Sequence, residues 1–146
     1  MSQTNELEIM ERIALDLERV EESLASSFNT GVEDFNALIR PLSAAGGKRL
    51  RAQLCLLIAN AGTSIERQRI KIAEAVEMLH LATLIHDDVL DQAEIRRGED
   101  TIHMHKGNKV AILSGDYLFA KAFRIVSEMP HMEYLKLFSH IITCLV

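Results

Sequence analysis

The sequence predicts an all-α fold, and three features of its composition and patterning lead to that prediction. Hydrophobic residues make up 48% of the 146 residues, yet aromatic residues make up only 5% and tryptophan is absent. The core must therefore be built from Leu, Ile, Ala and Met, a palette that favours helices over sheets. Only two prolines, Pro41 and Pro130, interrupt the chain, which is consistent with long helices. This length suffices for one domain with a sizeable core.

The spacing of apolar residues and the positions of helix breakers predict six helices. They span about residues 5–28, 32–40, 48–61, 65–93, 109–127 and 131–146. The second is expected to stop at Pro41. The third is apolar on all sides, which is typical of a buried helix. The polar segment 94–108 is expected to be a loop, and no linker divides the chain, so residues 1–146 form a single domain.

Charge and cysteine content exclude several classes of protein. A net charge of −5 argues against general binding of nucleic acid. No uninterrupted apolar stretch approaches the ~20 residues of a membrane span, and the acidic N-terminus is unlike a secretory signal. Cys55 and Cys144 lie in apolar helical contexts and are expected to be reduced, buried thiols. Together these features predict a cytoplasmic protein.

An acidic cluster near the end of the fourth predicted helix is the strongest functional signal. Asp87 and Asp91 are four residues apart and share one helix face, and Asp88 flanks them. Carboxylates this close repel one another unless a cation lies between them, and hard oxygen ligands suit Mg²⁺ bound together with substrate phosphates. Arg96 and Arg97 follow, and guanidinium groups bind phosphate oxygens bidentately. The spacing predicts a metal-diphosphate site, with a solvent-exposed acidic helix end as the alternative.

Two further features belong to the same chemistry. His80 and Glu77 share a helical stripe with the aspartates, and such a stripe is costly unless it lines a polar cavity. Upstream, a Gly46-Gly47 turn opens a helix whose first residues include Lys48 and Arg51, which can converge on one anion. This turn lacks the spacing of a P-loop and is a weak signal alone.

The six histidines raise the alternative of a zinc site. His103 and His105 have no matching cysteine or acidic ligand at the spacing of structural zinc sites. The sequence therefore favours magnesium over zinc.

Four segments, in this order and spacing, resemble the trans-prenyltransferases, the family of polyprenyl diphosphate synthases. They are GGKRLR, LIHDDVLD, RRGEDTIH and AILSGDYLFAKAF, within residues 44–127. The DDxxD motif alone is shared with terpene cyclases, whereas the two basic motifs resemble those of the chain-elongating branch. The resemblance implies the isoprenoid-synthase helical bundle and an enzyme that condenses an allylic diphosphate with isopentenyl diphosphate.

The resemblance also implies roles for individual residues. The catalytic and metal-binding residues are Asp87, Asp88 and Asp91, which would hold Mg²⁺ on the allylic diphosphate, and Arg96 would grip that diphosphate. The expected isopentenyl diphosphate site consists of Gly47, Lys48, Arg51, His80 and Arg97. The reaction would be ionisation of the allylic diphosphate, attack by the isopentenyl double bond, and loss of a proton.

The sequence departs from the family pattern in two respects. Ala52 stands where the family commonly has proline, and Asp100 and Lys106 replace a usual proline and aromatic residue. No second Asp-rich motif follows Asp91, so we expect the chain to be the N-terminal half of the helical bundle and inactive by itself. The apolar ending HIITCLV indicates either a fragment or an end that docks into a partner, such as the other subunit of a homo- or heterodimer.

Three other functions stay open at this stage. The chain could be a non-catalytic or regulatory small subunit of a heteromeric prenyl diphosphate synthase, although its intact site residues argue against that. A terpene cyclase is disfavoured by the basic motifs, and a helical interaction module would require a coincidental acidic cluster.

Product length is the least constrained expectation. Thr83 lies one helical turn before Asp87, and Ala82 is beside it. Both are small, so they predict an open path for a growing prenyl chain and a medium or long product.

Overall fold

The computed structural model describes residues 3–29, 33–44, 47–62 and 65–145, which form seven helices and one small hairpin. The elements are α1 (Gln3–Ser27), α2 (Glu33–Ala44), α3 (Leu50–Ala61), α4 (Glu66–Leu90), β1 (Ile95–Arg96), β2 (Glu99–Asp100), α5 (Ile102–Lys106), α6 (Asn108–Ser127) and α7 (Met132–Leu145). The all-α prediction is confirmed. Among these helices, none combines the length and apolar character that crossing a membrane requires.

Helix α4 is the centre of the bundle and packs against α1, α3 and α6. Its fully buried residues include Ala73, Met78 and Ala82. Gly115 on α6 marks the closest approach, since a Cβ atom there would lie 2.2 Å from His86 Nε2. Small side chains at such positions let two helix backbones approach closely, so α6 lies tightly along α4.

Two buried polar clusters join α1 to α4. Arg69 on α4 donates from Nε to Asp16 Oδ2 at 2.6 Å and from Nη2 to Asp16 Oδ1 at 3.1 Å, and both side chains are buried. One turn later, the fully buried Glu74 accepts hydrogen bonds from Ser23 at 2.7 Å and Ser27 at 2.6 Å. Buried charges need such partners, and these fix the position of α1 relative to α4.

The prediction that the second helix ends at Pro41 is wrong, because α2 continues through this proline to Ala44. Proline removes one main-chain hydrogen bond, the one to the carbonyl of residue 37. Ala37 and Pro41 are both exposed, so the helix loses this bond on its outer side and keeps its inner face, where Ile39 is fully buried.

The prediction that the third helix is buried on all sides is also wrong. Only Ala52 and Leu56 of α3 are buried. Leu50 and Ile58 are 64% and 65% exposed, and Leu54 is similar. The helix packs by one face against α1 and α4, and no described element covers its other faces.

The segment predicted as a loop after α4 is more ordered than expected. It contains the two-stranded antiparallel hairpin, in which Ile95 pairs with Asp100 and Arg96 with Glu99, and the short helix α5. Thr101 Oγ1 donates to the Ala93 carbonyl at 2.8 Å, which ties this segment back to the end of α4. Strands of two residues are too short to leave a periodic signal in the sequence.

The cysteines are both free thiols, as expected. Cys55 is half-buried, and burial raises the pKa of its thiol. Cys144 is exposed, which corrects the expectation that both are buried. Of the apolar ending, Ile141 is exposed, whereas Val146 and the side chain of Leu145 lie outside the described residues.

We predict that Asp16→Asn lowers the free energy of unfolding by about 2–3 kcal/mol, because it leaves the buried Arg69 charge without its carboxylate. Burial alone would raise the pKa of Asp16, but hydrogen bonds from Arg69 and Asn60 and the positive charges of Arg69 and Arg19 lower it overall. A lowered carboxylate pKa contributes stability above about pH 4 that is lost as pH falls through the folded-state pKa.

Urea unfolding between pH 3 and pH 7 measures both effects. The variant should lose stability at pH 7 and show a smaller decline below about pH 4. Glu8→Gln, at an exposed carboxylate of the same helix, is the matched control. A stability for Asp16→Asn within about 0.5 kcal/mol of wild type would contradict the account.

Candidate active site

The three aspartates of the acidic motif do not share one environment. Asp87 and Asp91 are exposed, and neither side chain has a hydrogen bond or ion pair with another described residue. Asp88 is buried, and its Oδ1 accepts from Arg96 Nε at 2.6 Å. The expected repulsion among three carboxylates is thus relieved partly from within the chain, because one of the two arginines neutralises the middle aspartate.

This pairing bears on the expected metal site. Throughout the described ranges, no three His, Cys, Asp or Glu side chains are grouped as a metal site of protein ligands alone would need. The structure therefore does not gather Asp87, Asp88 and Asp91 around one point. Asp87 and Asp91 remain a pair of free hard-oxygen donors one turn apart, which fits a Mg²⁺ ion that takes its other ligands from water and substrate phosphates.

The end of α4 positions these carboxylates through its backbone. Gln92, just after the helix, adopts a φ of 53°. The Ala93 N–H donates to the Asp88 carbonyl at 3.0 Å, and the Gln92 N–H donates to the Val89 carbonyl at 3.4 Å. This is a Schellman ending, which satisfies the last carbonyls without basic residues. No basic residue lies in the last turn of α4, so the acids stand against the helix dipole as predicted.

The hairpin turn holds Arg97 in a strained conformation. Arg97 and Gly98 form its two-residue loop with φ values of 54° and 86°, as a type I′ turn requires. Glycine accepts such an angle freely, whereas arginine does so at a cost. The turn brings Arg97 against the basic segment before α3, since a Cβ on Gly47 would lie 3.4 Å from Arg97 Nη2.

The residues predicted to bind isopentenyl diphosphate line one cavity. Its volume is about 210 Å³, and its lining includes Gly47, Lys48, Arg51, His80 and Arg97. Gly46, the other glycine of the predicted turn, lies outside the described residues. Several cationic groups around so small a space give the cavity a positive potential that would attract a multiply charged anion.

His80 lines this cavity, and its surroundings disfavour the protonated ring. Its pKa is below the ordinary value, first because burial disfavours the charged form, and then because Arg51, Arg97 and Arg96 repel a further positive charge, with Glu77 opposing them. A bound anion would reverse that repulsion and favour protonation.

A second cavity of about 310 Å³ adjoins the first. Asp88 and Arg96 line it together with apolar residues, including Ile85 and Ile102. Arg97, Leu81 and Leu84 line both cavities, so one arginine and two leucines lie where the basic cavity adjoins the cavity that Asp88 lines.

Sequence reasoning assigned no role to two charged residues of the basic cavity, Glu77 and Arg49. Glu77 is buried, accepts from the Ala52 N–H at 3.0 Å and lies 3.6 Å from Arg49 Nη1. Glu77 lies on the predicted polar stripe, but its partners Ala52 and Arg49 are distant in sequence. Arg49 stood inside the basic motif, where nothing in the sequence distinguishes a cation that pairs internally from one that faces a ligand.

The two small residues before the aspartates do not form the open path that the sequence suggested. Ala82 is fully buried, so the expectation that it lines a path for a prenyl chain is wrong. Thr83 is half-buried, and its hydroxyl donates to the His80 carbonyl at 2.7 Å. Neither residue lines the two cavities described above.

Comparisons with known proteins agree with this geometry. The chain is 34% identical over 140 residues to solanesyl diphosphate synthase 1, chloroplastic, of Arabidopsis thaliana, covering 92% of this chain and 34% of that protein. It is 32% identical over 131 residues to octaprenyl diphosphate synthase of Escherichia coli K12, covering 90% of this chain and 41% of that protein. The chain thus spans well under half the length of these relatives.

The fold is shared with solved structures of the same kind. A polyprenyl synthase from Caulobacter crescentus CB15, solved with calcium and isoprenyl diphosphate, matches with a TM-score of 0.84 and 35% identity, over 90% of this chain and 40% of that one. The sequence model described as Polyprenyl synthetase matches residues 32–146. The chain belongs to the polyprenyl synthetase family.

Proposed function

We propose that this chain supplies the substrate-binding half of an all-trans polyprenyl diphosphate synthase, which joins an allylic diphosphate to isopentenyl diphosphate. The observation that carries the proposal is the pair of adjoining cavities that meet at Arg97. A condensation of two diphosphates needs two anion sites close enough for the carbon chains of the two substrates to meet. Leu81 and Leu84 line both cavities and would form an apolar wall beside the place where those chains meet.

The aspartate end of α4 would receive the allylic diphosphate. Asp87 and Asp91 would hold Mg²⁺, which supplies positive charge that stabilises the departing diphosphate. Arg96 and Arg97 would bind phosphate oxygens, Arg96 while still paired with Asp88. A divalent cation and a diphosphate are both named for the Caulobacter crescentus structure, which supports the same pairing here.

The basic cavity would receive isopentenyl diphosphate. Lys48 and Arg51 are exposed, and neither has a side-chain ion pair with another described residue, so both can turn to a ligand. His80 would donate a hydrogen bond to the diphosphate after taking up a proton. The apolar wall would keep water from the carbocation that forms when the allylic diphosphate ionises.

The remaining walls of a complete site would come from chain or subunits beyond these residues, because the relatives are more than twice as long. We therefore propose that the 146 residues alone bind diphosphates without completing the reaction. A medium or long product is supported by the names of the solanesyl and octaprenyl relatives. Assembly as a homo- or heterodimer and a cytoplasmic location stay predictions.

The first prediction concerns coupling between metal and diphosphate. Inorganic pyrophosphate should bind more tightly by about 5- to 150-fold when Mg²⁺ is present, since each ligand supplies contacts for the other. Asp87→Ala combined with Asp91→Ala should abolish this enhancement in calorimetry, whereas Glu133→Ala, at an exposed carboxylate of α7, should leave it. If pyrophosphate binds tightly in the presence of a chelator, and the double variant binds it equally tightly, the metal assignment is wrong.

The second prediction separates the two anion sites. Lys48→Ala should weaken binding of isopentenyl diphosphate in chelator by about tenfold or more, because a charge-assisted hydrogen bond is lost. The same variant should leave the Mg²⁺-dependent binding of pyrophosphate within about twofold of wild type. Lys109→Ala, an exposed lysine outside both cavities, is the control. Equal weakening of both ligands would contradict the separation.

The third prediction concerns protonation of His80. Because cations and burial lower its pKa in the free protein, anion binding should raise that pKa and draw in a fraction of a proton near pH 6.5. Calorimetry in buffers of different ionisation heat measures this uptake. His80→Gln should reduce the measured proton uptake by the amount that His80 contributes, so that only protonation of the ligand remains. Identical uptake in both proteins would show that His80 does not respond to the anion.

A further inference from the structure

Glu77 is a buried carboxylate in a cavity whose other charged residues are cationic. It is 5% exposed and lies one helical turn before His80 on α4. By its negative charge alone, Glu77 would weaken the attraction of the cavity for an anion. Its contacts give it a different role.

The carboxylate of Glu77 supports the first turn of α3 from a neighbouring helix. Its Oε1 accepts the Ala52 N–H at 3.0 Å in a buried hydrogen bond. Ala52 is the third residue of α3, so this N–H has no acceptor within the helix. Family members with proline at this position have no such N–H, and therefore the bond follows from the alanine of this chain.

The same carboxylate helps to hold Arg49 in place. Arg49 has φ 46° and ψ 37° at the N-cap of α3, an unfavourable conformation for a non-glycine residue. Its guanidinium lies 3.6 Å from Glu77 and donates to Glu21 on α1 at 2.5 and 3.1 Å. Such conformations persist where surrounding contacts fix them.

Arg49 lies directly between the two cations assigned to the ligand. Lys48 precedes it and Arg51 follows two residues later, and all three line the basic cavity. Fixing the backbone of Arg49 and the N–H of Ala52 therefore fixes the main chain from which Lys48 and Arg51 extend.

We propose that Glu77 is a positioning residue for the isopentenyl diphosphate site, acting through Arg49 and Ala52 to hold Lys48 and Arg51 towards the basic cavity. This inference rests on the proposed function. It predicts that removing the Glu77 carboxylate changes the affinity for the anion in the direction opposite to the one that charge alone would give. Removing a negative charge beside an anion site should tighten anion binding, whereas removing a positioning group should weaken it.

The test compares the affinity of isopentenyl diphosphate in chelator for the 146-residue chain and its variants. Glu77→Met, which lacks both the charge and the strong acceptor, should bind about tenfold more weakly. Glu77→Gln can still accept from Ala52 and should lose less, about threefold. The Mg²⁺-dependent affinity for pyrophosphate should stay unchanged in both, which general destabilisation of the protein would not produce.

A second pair of variants isolates the bond to Ala52. In an Ala52→Pro background the donor is absent, so Glu77→Met no longer leaves a buried N–H without an acceptor. The loss of affinity caused by Glu77→Met should therefore be smaller there than in wild type, by about threefold. An equal loss in both backgrounds would overturn the inference.

Glu74→Gln is the matched control, since it changes another buried carboxylate of α4 that contacts neither cavity. It should lower stability while leaving the affinity for isopentenyl diphosphate unchanged. If wild type does not bind, or Lys48→Ala has no effect, the proposed function fails and this inference with it. If Lys48→Ala weakens binding while Glu77→Met leaves it unchanged or tightens it, the inference alone fails.

Discussion

The structure depends on the need to pair charges that are buried on one central helix. Helix α4 buries three carboxylates along its length, and each is satisfied by a different part of the chain. Glu74 is bonded by serines of α1, Glu77 by the start of α3, and Asp88 by Arg96 of the hairpin. Because an unpaired buried charge is so costly, these contacts fix where α1, α3 and the hairpin lie around α4. Both cavities are consequences of that arrangement.

Two of the three described non-glycine residues with a positive φ are cations that line the basic cavity. Arg49 and Arg97 both adopt positive φ, and each is a cation beside the basic cavity. A conformation of this kind costs about 1–3 kcal/mol, so it must be supported by surrounding contacts. Glu21 and Glu77 support Arg49, and the hairpin ladder supports the turn that holds Arg97. Such strain benefits a binding site through preorganisation, since cations already held in place lose less freedom when an anion arrives.

Local sequence patterns predicted the helices and most of the residues around the cavities, but not the interactions between distant segments. The period of apolar residues located all six long helices, and the basic and acidic motifs located Lys48, Arg51 and Asp87. Which face of α3 is buried could not be predicted. Apolar residues on every face show that each face could be buried, but they do not show which faces a neighbouring element covers. The pairing of Asp88 with Arg96 depends on a turn and a two-residue strand that leave no periodic signal. The bond from the Ala52 N–H to Glu77 joins residues 25 apart in sequence, so no local pattern predicts it.

The central claim is that two diphosphates bind at the same time, one on each side of Arg97. It is tested most directly by titrating isopentenyl diphosphate into protein already saturated with Mg²⁺ and an unreactive allylic diphosphate analogue, in which sulfur replaces the bridging oxygen. The account predicts that one further equivalent binds while the analogue stays bound. Displacement of the analogue by isopentenyl diphosphate, or no binding to the saturated protein, would contradict it.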